Sequence, residues 1–283
     1  MTLLALPFPA IDPVAIAIGP LAVRWYALAY VAGLLGGWFY ARRLAATASL
    51  WGDVRRPTPA DIDDVIVYAA LGIVLGGRLG YVLFYNADAY FANPWEILAV
   101  WRGGMSFHGG FVGALLALVL FARSRGLSVL GLLDVAAAVA PIGLFFGRIA
   151  NFVNGELWGR PTDVSWAVVF PTGGEVPRHP SQLYEAGLEG LLLGIILWFL
   201  FWKTDARYQP GRLVGTFILV YGISRFLVEM VRQPDEGLEN LAWGLTMGQT
   251  LTLPMIIGGI YLIVTSRGRR ERVEPIAGGP SVA

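Results

Sequence analysis

An all-α integral membrane protein of about seven transmembrane helices is the fold class this sequence predicts, on three observations. Of its 283 residues 56% are apolar and only 14% charged, about half the usual charged share, and mean hydropathy is +0.61. Seven stretches approach the ~20 mostly apolar residues that a bilayer core requires. Lys and Arg concentrate in alternate loops, which gives the helices a direction. A soluble fold of this length could not hide so much apolar surface. The net charge of +1 offers no basic field for a nucleic acid. The absence of Cys excludes disulfides, thiolate zinc and a thiol nucleophile of the chain's own, and two His are too few for a histidine-rich metal centre. Neither a cofactor nor a metal is expected.

Residues 1–20 carry no Lys or Arg, so they lack the basic start of a cleavable signal peptide. They read as an extra-membrane arm broken by Pro7, Pro9, Pro13 and Pro20. Spans are expected at 21–42, 62–86, 108–124, 127–151, 181–202, 211–232 and 246–266. The third is short, and the stretch from Trp95 to Trp101 before it reads either as interfacial or as a re-entrant segment covered by protein. In the 152–180 loop, Trp166, Val168, Val169 and Phe170 lie between prolines and Gly173-Gly174, which predicts a small β-like external cap. Residues 1–266 are thus one polytopic membrane domain with that cap, and 267–283 a basic tail without fixed structure.

Orientation follows from the cations. Arg42, Arg43, Arg55 and Arg56 mark one set of loops, with Arg123, Arg125, Lys203, Arg207 and Arg212, and the tail adds Arg267, Arg269, Arg270 and Arg272. The opposite loops hold only Arg102, Arg160 and Arg178, and the 233–245 loop is acidic through Asp235, Glu236 and Glu239. The N-terminus is therefore expected outside and the C-terminus in the cytoplasm.

Charges inside a membrane are costly and face a protein interior or a watery cavity. With this orientation Arg24, Arg78, His108, Arg148, Glu185, Glu189, Arg225, Glu229 and Arg232 all fall in the outer halves of their spans; Asp134 alone lies near a cytoplasmic end. Tyr221, Arg225 and Glu229 share one helix face. Five Arg against three Glu suits an anionic ligand, because Arg grips phosphate through paired hydrogen bonds. Singly, each residue also admits a structural role. Arg225–Glu229 and Arg232–Glu229 can be intrahelical pairs, and Arg24 can snorkel beside Trp25 and Tyr26. His179 reads best as a helix-end anchor, whereas the paired glycines around His108, from Gly103-Gly104 to Gly109-Gly110, favour a functional site.

The densest polar string runs Gly147-Arg148-Ile149-Ala150-Asn151-Phe152-Val153-Asn154-Gly155-Glu156-Leu157-Trp158-Gly159-Arg160. It closely resembles the signature of bacterial prolipoprotein diacylglyceryl transferases. Arg24-Trp25-Tyr26, the segment around His108, His179 to Glu185, Tyr221-Gly222 with Arg225-Phe226, Glu229 and Arg232, and Met247-Gly248-Gln249 agree with that family. The match spans roughly residues 15–266; Ala27 departs from it, standing where many members have Gly.

The resemblance implies a reaction. A diacylglyceryl group passes from phosphatidylglycerol to the lipobox cysteine thiol of a prolipoprotein signal peptide, and glycerol 1-phosphate is released. This is the first step of lipoprotein biosynthesis, placed at the bacterial inner membrane with the site toward the outer leaflet. It further implies His108, Tyr26, Arg148 and Arg225 as catalytic residues and Asn151, Asn154, Glu156, Gly159 and Glu229 as substrate-binding ones. The partners would be phosphatidylglycerol, the prolipoprotein and membrane lipid. His108 is the candidate base for a thiol whose ordinary pKa is about 8.5. The competing class is an anion or lipid transporter with an Arg-lined cavity; no inverted repeat is evident, and the charges stay in one leaflet.

Overall fold

The structure, a computed structural model, describes residues 5–9, 11–12, 14–19, 21–85, 87–234, 244–271 and 273. Pro13 and Pro20 of the arm, the acidic Asp235, Glu236 and Glu239, and Arg272 with the tail from Glu274 lie outside them. The chain forms two compact units, one of Met1–Tyr40 with Asp134–Glu271 and one built on Ala41–Leu133.

The first unit opens on strands. β1 (Leu6–Pro7) is followed by β2 (Val14–Ile18) and β3 (Leu21–Arg24), the last two paired antiparallel with an irregularity between Val14 and Ile16. Val and Ile alternate with Ala through β2, a pattern suited to a pleated surface, and Gly19 supplies the φ of +58° at the turn. α1 (Trp25–Ala46) therefore begins at Trp25. Arg24, read from sequence as lying within the first span, instead ends a strand and is exposed.

In the second unit, α2 (Pro59–Tyr85) starts with Pro at its first position. The Thr58 amide and hydroxyl donate to Asp61 Oδ2 at 2.9 and 2.7 Å, and the Asp61 amide donates back to Thr58 Oγ1 at 3.1 Å. This reciprocal cap fixes the helix start. α3 (Ala87–Ala92) and two 3-10 turns, Pro94–Leu98 and Val100–Arg102, lead to α4 (Phe107–Ser124). α2 and α4 meet backbone to backbone through glycines. A Cβ on Gly76 would collide with the Gly109 carbonyl oxygen, and one on Gly113 with that of Gly72. Small residues at four-residue spacing permit such approach between membrane helices. Toward the other end of the pair, Val65, Phe121, Ala122 and Leu132 form a buried apolar cluster.

α5 (Val129–Val153) carries the chain back into the first unit. β4 (Val168–Val169) pairs in parallel with β1, Leu6 opposite Val168, so the 152–180 loop contributes one strand of a short two-stranded sheet whose other strand is β1. α6 (Ser181–Glu185) continues through a π-helical segment, Ala186–Leu192, into α7 (Leu193–Lys203). α8 (Arg212–Glu229) and α9 (Met247–Ser266) follow, α9 starting with a Thr246–Gln249 capping box. Beyond α9, the Arg269 Nε donates to the Pro210 carbonyl at 2.7 Å.

Among the described residues, five helices are long and apolar enough to cross a membrane: Pro59–Tyr85, Phe107–Ser124, Val129–Val153, Ser181–Lys203 and Met247–Arg269. Seven are expected from sequence. The remaining two stretches form helices of 22 and 18 residues, α1 and α8, but with a more polar composition. α1 is diluted by Trp25, Tyr26, Tyr30, Trp38, Tyr40 and three glycines, and α8 carries Arg212, Arg225 and Glu229.

Candidate active site

The last turns of α5 present Arg148 and Asn151, three residues apart and hence on one face. The helix stops at Val153, and Gly155, with φ at +64°, reverses the chain. Glu156 then folds back onto the helix end. Its amide donates to the Asn151 carbonyl at 3.0 Å, and its Oε1 accepts from Asn151 Nδ2 at 2.8 Å. Leu157 is held at φ +57°, the one non-glycine residue with positive φ among those described. Two buried side chains at the start of α6 brace this turn: Gln182 Nε2 donates to the Glu156 carbonyl at 2.6 Å and Ser181 Oγ to that of Leu157 at 3.0 Å.

The string next threads between two other segments. Gly159 donates its amide to the His179 carbonyl at 2.9 Å, and Arg160 donates its own to that of Val231 at 2.8 Å. A Cβ on Gly159 would lie 2.6 Å from the Val231 oxygen and 2.7 Å from His179 Cβ, so no side chain fits. The motif that stands out in the sequence is therefore a strap joining the end of α5 to the start of α6 and the end of α8.

Beside this strap, three helical segments bring an ion cluster together. Glu185 Oε2 lies 3.1 Å from Arg148 Nε, and its Oε1 accepts from Arg225 Nη1 at 2.6 Å and Arg232 Nη1 at 3.0 Å. Arg225 Nη2 also meets Glu229 Oε2 at 2.8 Å, one turn along α8. Arg148 Nη2 is 3.6 Å from Glu189 Oε2. Glu229 in turn accepts from Thr246 Oγ1 at 3.1 Å, and a Cβ on Gly248 would sit 2.6 Å from its carboxyl carbon. Glycine at the start of α9 thus makes room for that carboxylate.

This arrangement corrects two readings. The expected surplus of guanidinium is absent from the cluster, which pairs Arg148, Arg225 and Arg232 with Glu185, Glu189 and Glu229. Arg24 lies on a strand, and Arg78, in the second unit, is spent on backbone: its Nε donates to the Ile97 carbonyl at 2.8 Å and its Nη1 to that of Gly103 at 2.5 Å. Arg78 thereby holds the loop of exposed Trp95 and Trp101 against α2. Arg232 pairs across helices with Glu185 rather than with Glu229. What remains is asymmetric burial. The side chains of Glu185 and Glu189 are 0% exposed, whereas those of Arg148 and Arg225 are 18% exposed. The accessible side of a balanced cluster is therefore cationic.

The other candidates are placed as follows. Tyr26, in the first turn of α1, sets its hydroxyl 3.1 Å from that of Tyr30. Asn154 caps α5 with its amide, donated to the Ala150 carbonyl at 3.0 Å. His108 belongs to the second unit, exposed in the first turn of α4, where Ser106 Oγ accepts from the Gly109 amide at 3.2 Å. His179 supports structure: its Nδ1 is 3.2 Å from the Tyr184 hydroxyl, and partial burial pushes its pKa below the usual histidine value. Glu185 and Glu189, expected from sequence only among the outer-half charges and given no catalytic or binding role, hold the arginines here, and Gln182, part of the 179–185 motif, was given no role; a buried carboxylate among arginines was the available signal.

The model of the family described as "Prolipoprotein diacylglyceryl transferase" matches residues 13–265. The chain is 57% identical over 281 residues to a phosphatidylglycerol–prolipoprotein diacylglyceryl transferase of Rhodospirillum rubrum, covering 97% of this chain and 98% of the relative. It is 55% identical over 265 residues to that of Agrobacterium fabrum, covering 93% and 94%. Against that of Nitrobacter hamburgensis it is 52% identical over 284 residues, covering 99% and 97%.

Proposed function

We infer the reaction from a premise the match establishes: the chain belongs to the prolipoprotein diacylglyceryl transferase family. It is a membrane-bound enzyme that transfers the diacylglyceryl group of phosphatidylglycerol to a prolipoprotein. The acceptor in this reading is the thiol of the lipobox cysteine. Its sulfur attacks the glyceryl carbon, the carbon–oxygen bond to phosphate breaks, a thioether forms and glycerol 1-phosphate leaves. A chain without Cys draws its sulfur from the substrate.

Arg148 and Arg225 take the lipid phosphate in this reading, and the observation that carries it is the burial asymmetry. Their guanidiniums are partly accessible while the carboxylates behind them are sealed, so an approaching phosphodiester meets cations first. The same two groups stabilise the charge that develops on the departing phosphate. Asn151 and Glu156, locked to each other, and Tyr26 orient the headgroup and the peptide; Asn154, Gly159 and Glu229 keep the strap and the start of α9 in place. His108 accepts the thiol proton. The seven-span topology with the N-terminus outside, and the 152–180 cap over an outer-leaflet site, belong to the same reading.

Purified protein incubated with phosphatidylglycerol and a lipobox peptide, followed by mass spectrometry, tests it. A diacylglyceryl adduct on the peptide thiol is expected, and its absence would reject the reaction. Arg225→Lys keeps the charge but loses the planar fork. It should lower turnover on the order of 10²-fold, as loss of a charge-stabilising donor does. Full activity in that variant would remove Arg225 from the phosphate site.

A further inference from the structure

Resting on the reading of Arg148 and Arg225 as the phosphate pair, we propose that Glu185 is a positioning residue for the transfer, a single buried carboxylate that sets the spacing and aim of both guanidiniums. Arg148 comes from α5 and Arg225 from α8, so no short covalent path relates them. Glu185 is what they share: one oxygen lies 3.1 Å from Arg148 and the other 2.6 Å from Arg225, with Arg232 on that second oxygen at 3.0 Å.

Its own backbone is anchored on both sides. Upstream, Ser181 and Gln182 are bonded to the carbonyls of Leu157 and Glu156 in the strap. Downstream, the π-helical segment presses Gly190 so close to α5 that a Cβ there would lie 2.6 Å from Phe145 Cβ, one turn before Arg148. π-Helical turns inside α-helices recur at functional sites. Charge balance alone does not call for this residue to bridge, since Glu229 serves Arg225 and Glu189 lies beside Arg148. The role that requires one carboxylate on both guanidiniums is geometric. Glu185 touches no reacting atom; it acts through the arginines.

The test uses the full chain in phosphatidylglycerol-containing micelles with a lipobox peptide. Turnover and KM for the lipid are read from thiol-adduct formation, alongside a thermal melt. Glu185→Asp keeps the charge but withdraws the carboxylate by one methylene, so it cannot span both partners. Turnover should fall on the order of 10²-fold, the loss typical of a small misplacement, with KM much less changed. Glu185→Gln keeps the length and loses the charge, which leaves the cluster more cationic; turnover should fall while KM does not rise. Wild-type turnover in Glu185→Asp, or a raised KM at unchanged turnover, would overturn the proposal. If Glu185→Gln does not accumulate as folded protein, the Asp variant decides alone. Arg148→Lys and Arg225→Lys run in parallel separate the two readings. Wild-type turnover and KM in both would reject the phosphate assignment itself, whereas impaired Lys variants beside a normal Glu185→Asp would reject only the role of Glu185.

Discussion

Arg148 and Arg225 each face a buried carboxylate on one side and an accessible edge on the other. Removing one partner of such a buried pair strands a charge and typically costs about 3–5 kcal/mol, so activity losses in this cluster must be read at matched folded protein. Arg225–Glu229 is legible from sequence because four residues along a helix is one turn. The Arg232 partner is not, because Glu185 lies 47 residues away and only packing brings it near. His108 is the residue whose role is most sharply testable. As a general base its replacement by Ala should slow turnover by ~10²–10⁴-fold with lipid binding intact. His108→Gln keeps a polar side chain without a titrating ring. Near-normal turnover in that variant, measured by adduct formation, would favour a positioning role over proton transfer.

Among the elements, α8 begins in an instructive way. Its N-terminal Gly211, at φ +94°, has no side chain with which to cap the helix. Asp134 of α5 supplies the missing acceptor, taking the amides of Gly211 at 2.8 Å and Val214 at 2.7 Å. This explains the lone acidic residue at the end of its span opposite the ion cluster, which hydropathy could flag but not assign. Asp134→Ala should leave buried helix-terminal amides unpaired and lower stability by about 1–3 kcal/mol. The lipid KM should stay unchanged. A thermal melt in detergent equal to wild type would show that water or another group replaces the cap. The strands at residues 14–24 were equally hidden: the first lies in what reads as a proline-broken arm, and the apolar run 21–24 reads as the start of a span until its pairing partner is known. The glycine contacts of α2 with α4 have the four-residue spacing in the sequence, yet spacing alone does not name the partner helix.

For the whole molecule, two compact units are joined through α1 and α5, each helix passing from one unit into the other. Several arginines of the cation-rich loops are paired locally. In the second unit Arg42 meets Asp63 at 2.7 Å and Arg125 meets Asp64 at 2.5 Å, both partly exposed pairs that add little stability. Their cationic excess bears instead on orientation. Ala60→Cys should be shielded from an impermeant thiol reagent in intact cells and Glu175→Cys labelled, since the chain has no other thiol. The reverse pattern would invert the topology and move the ion cluster to the cytoplasmic leaflet.

Composition and the spacing of apolar runs determined by themselves that this is a helical membrane protein, because a bilayer imposes length and hydropathy on every span. The string from Gly147 to Arg160 likewise carried the resemblance to the family, and the family model matches residues 13–265. Tertiary structure alone decided the pairing and shape of the site. It showed that Arg24 ends a strand, that Arg78 is bonded to backbone carbonyls, that three arginines of the cluster meet three glutamates, and that Glu185 joins three guanidiniums. Such pairings depend on which helices touch and at what rotation, and a linear pattern with one period per helix contains no term for that.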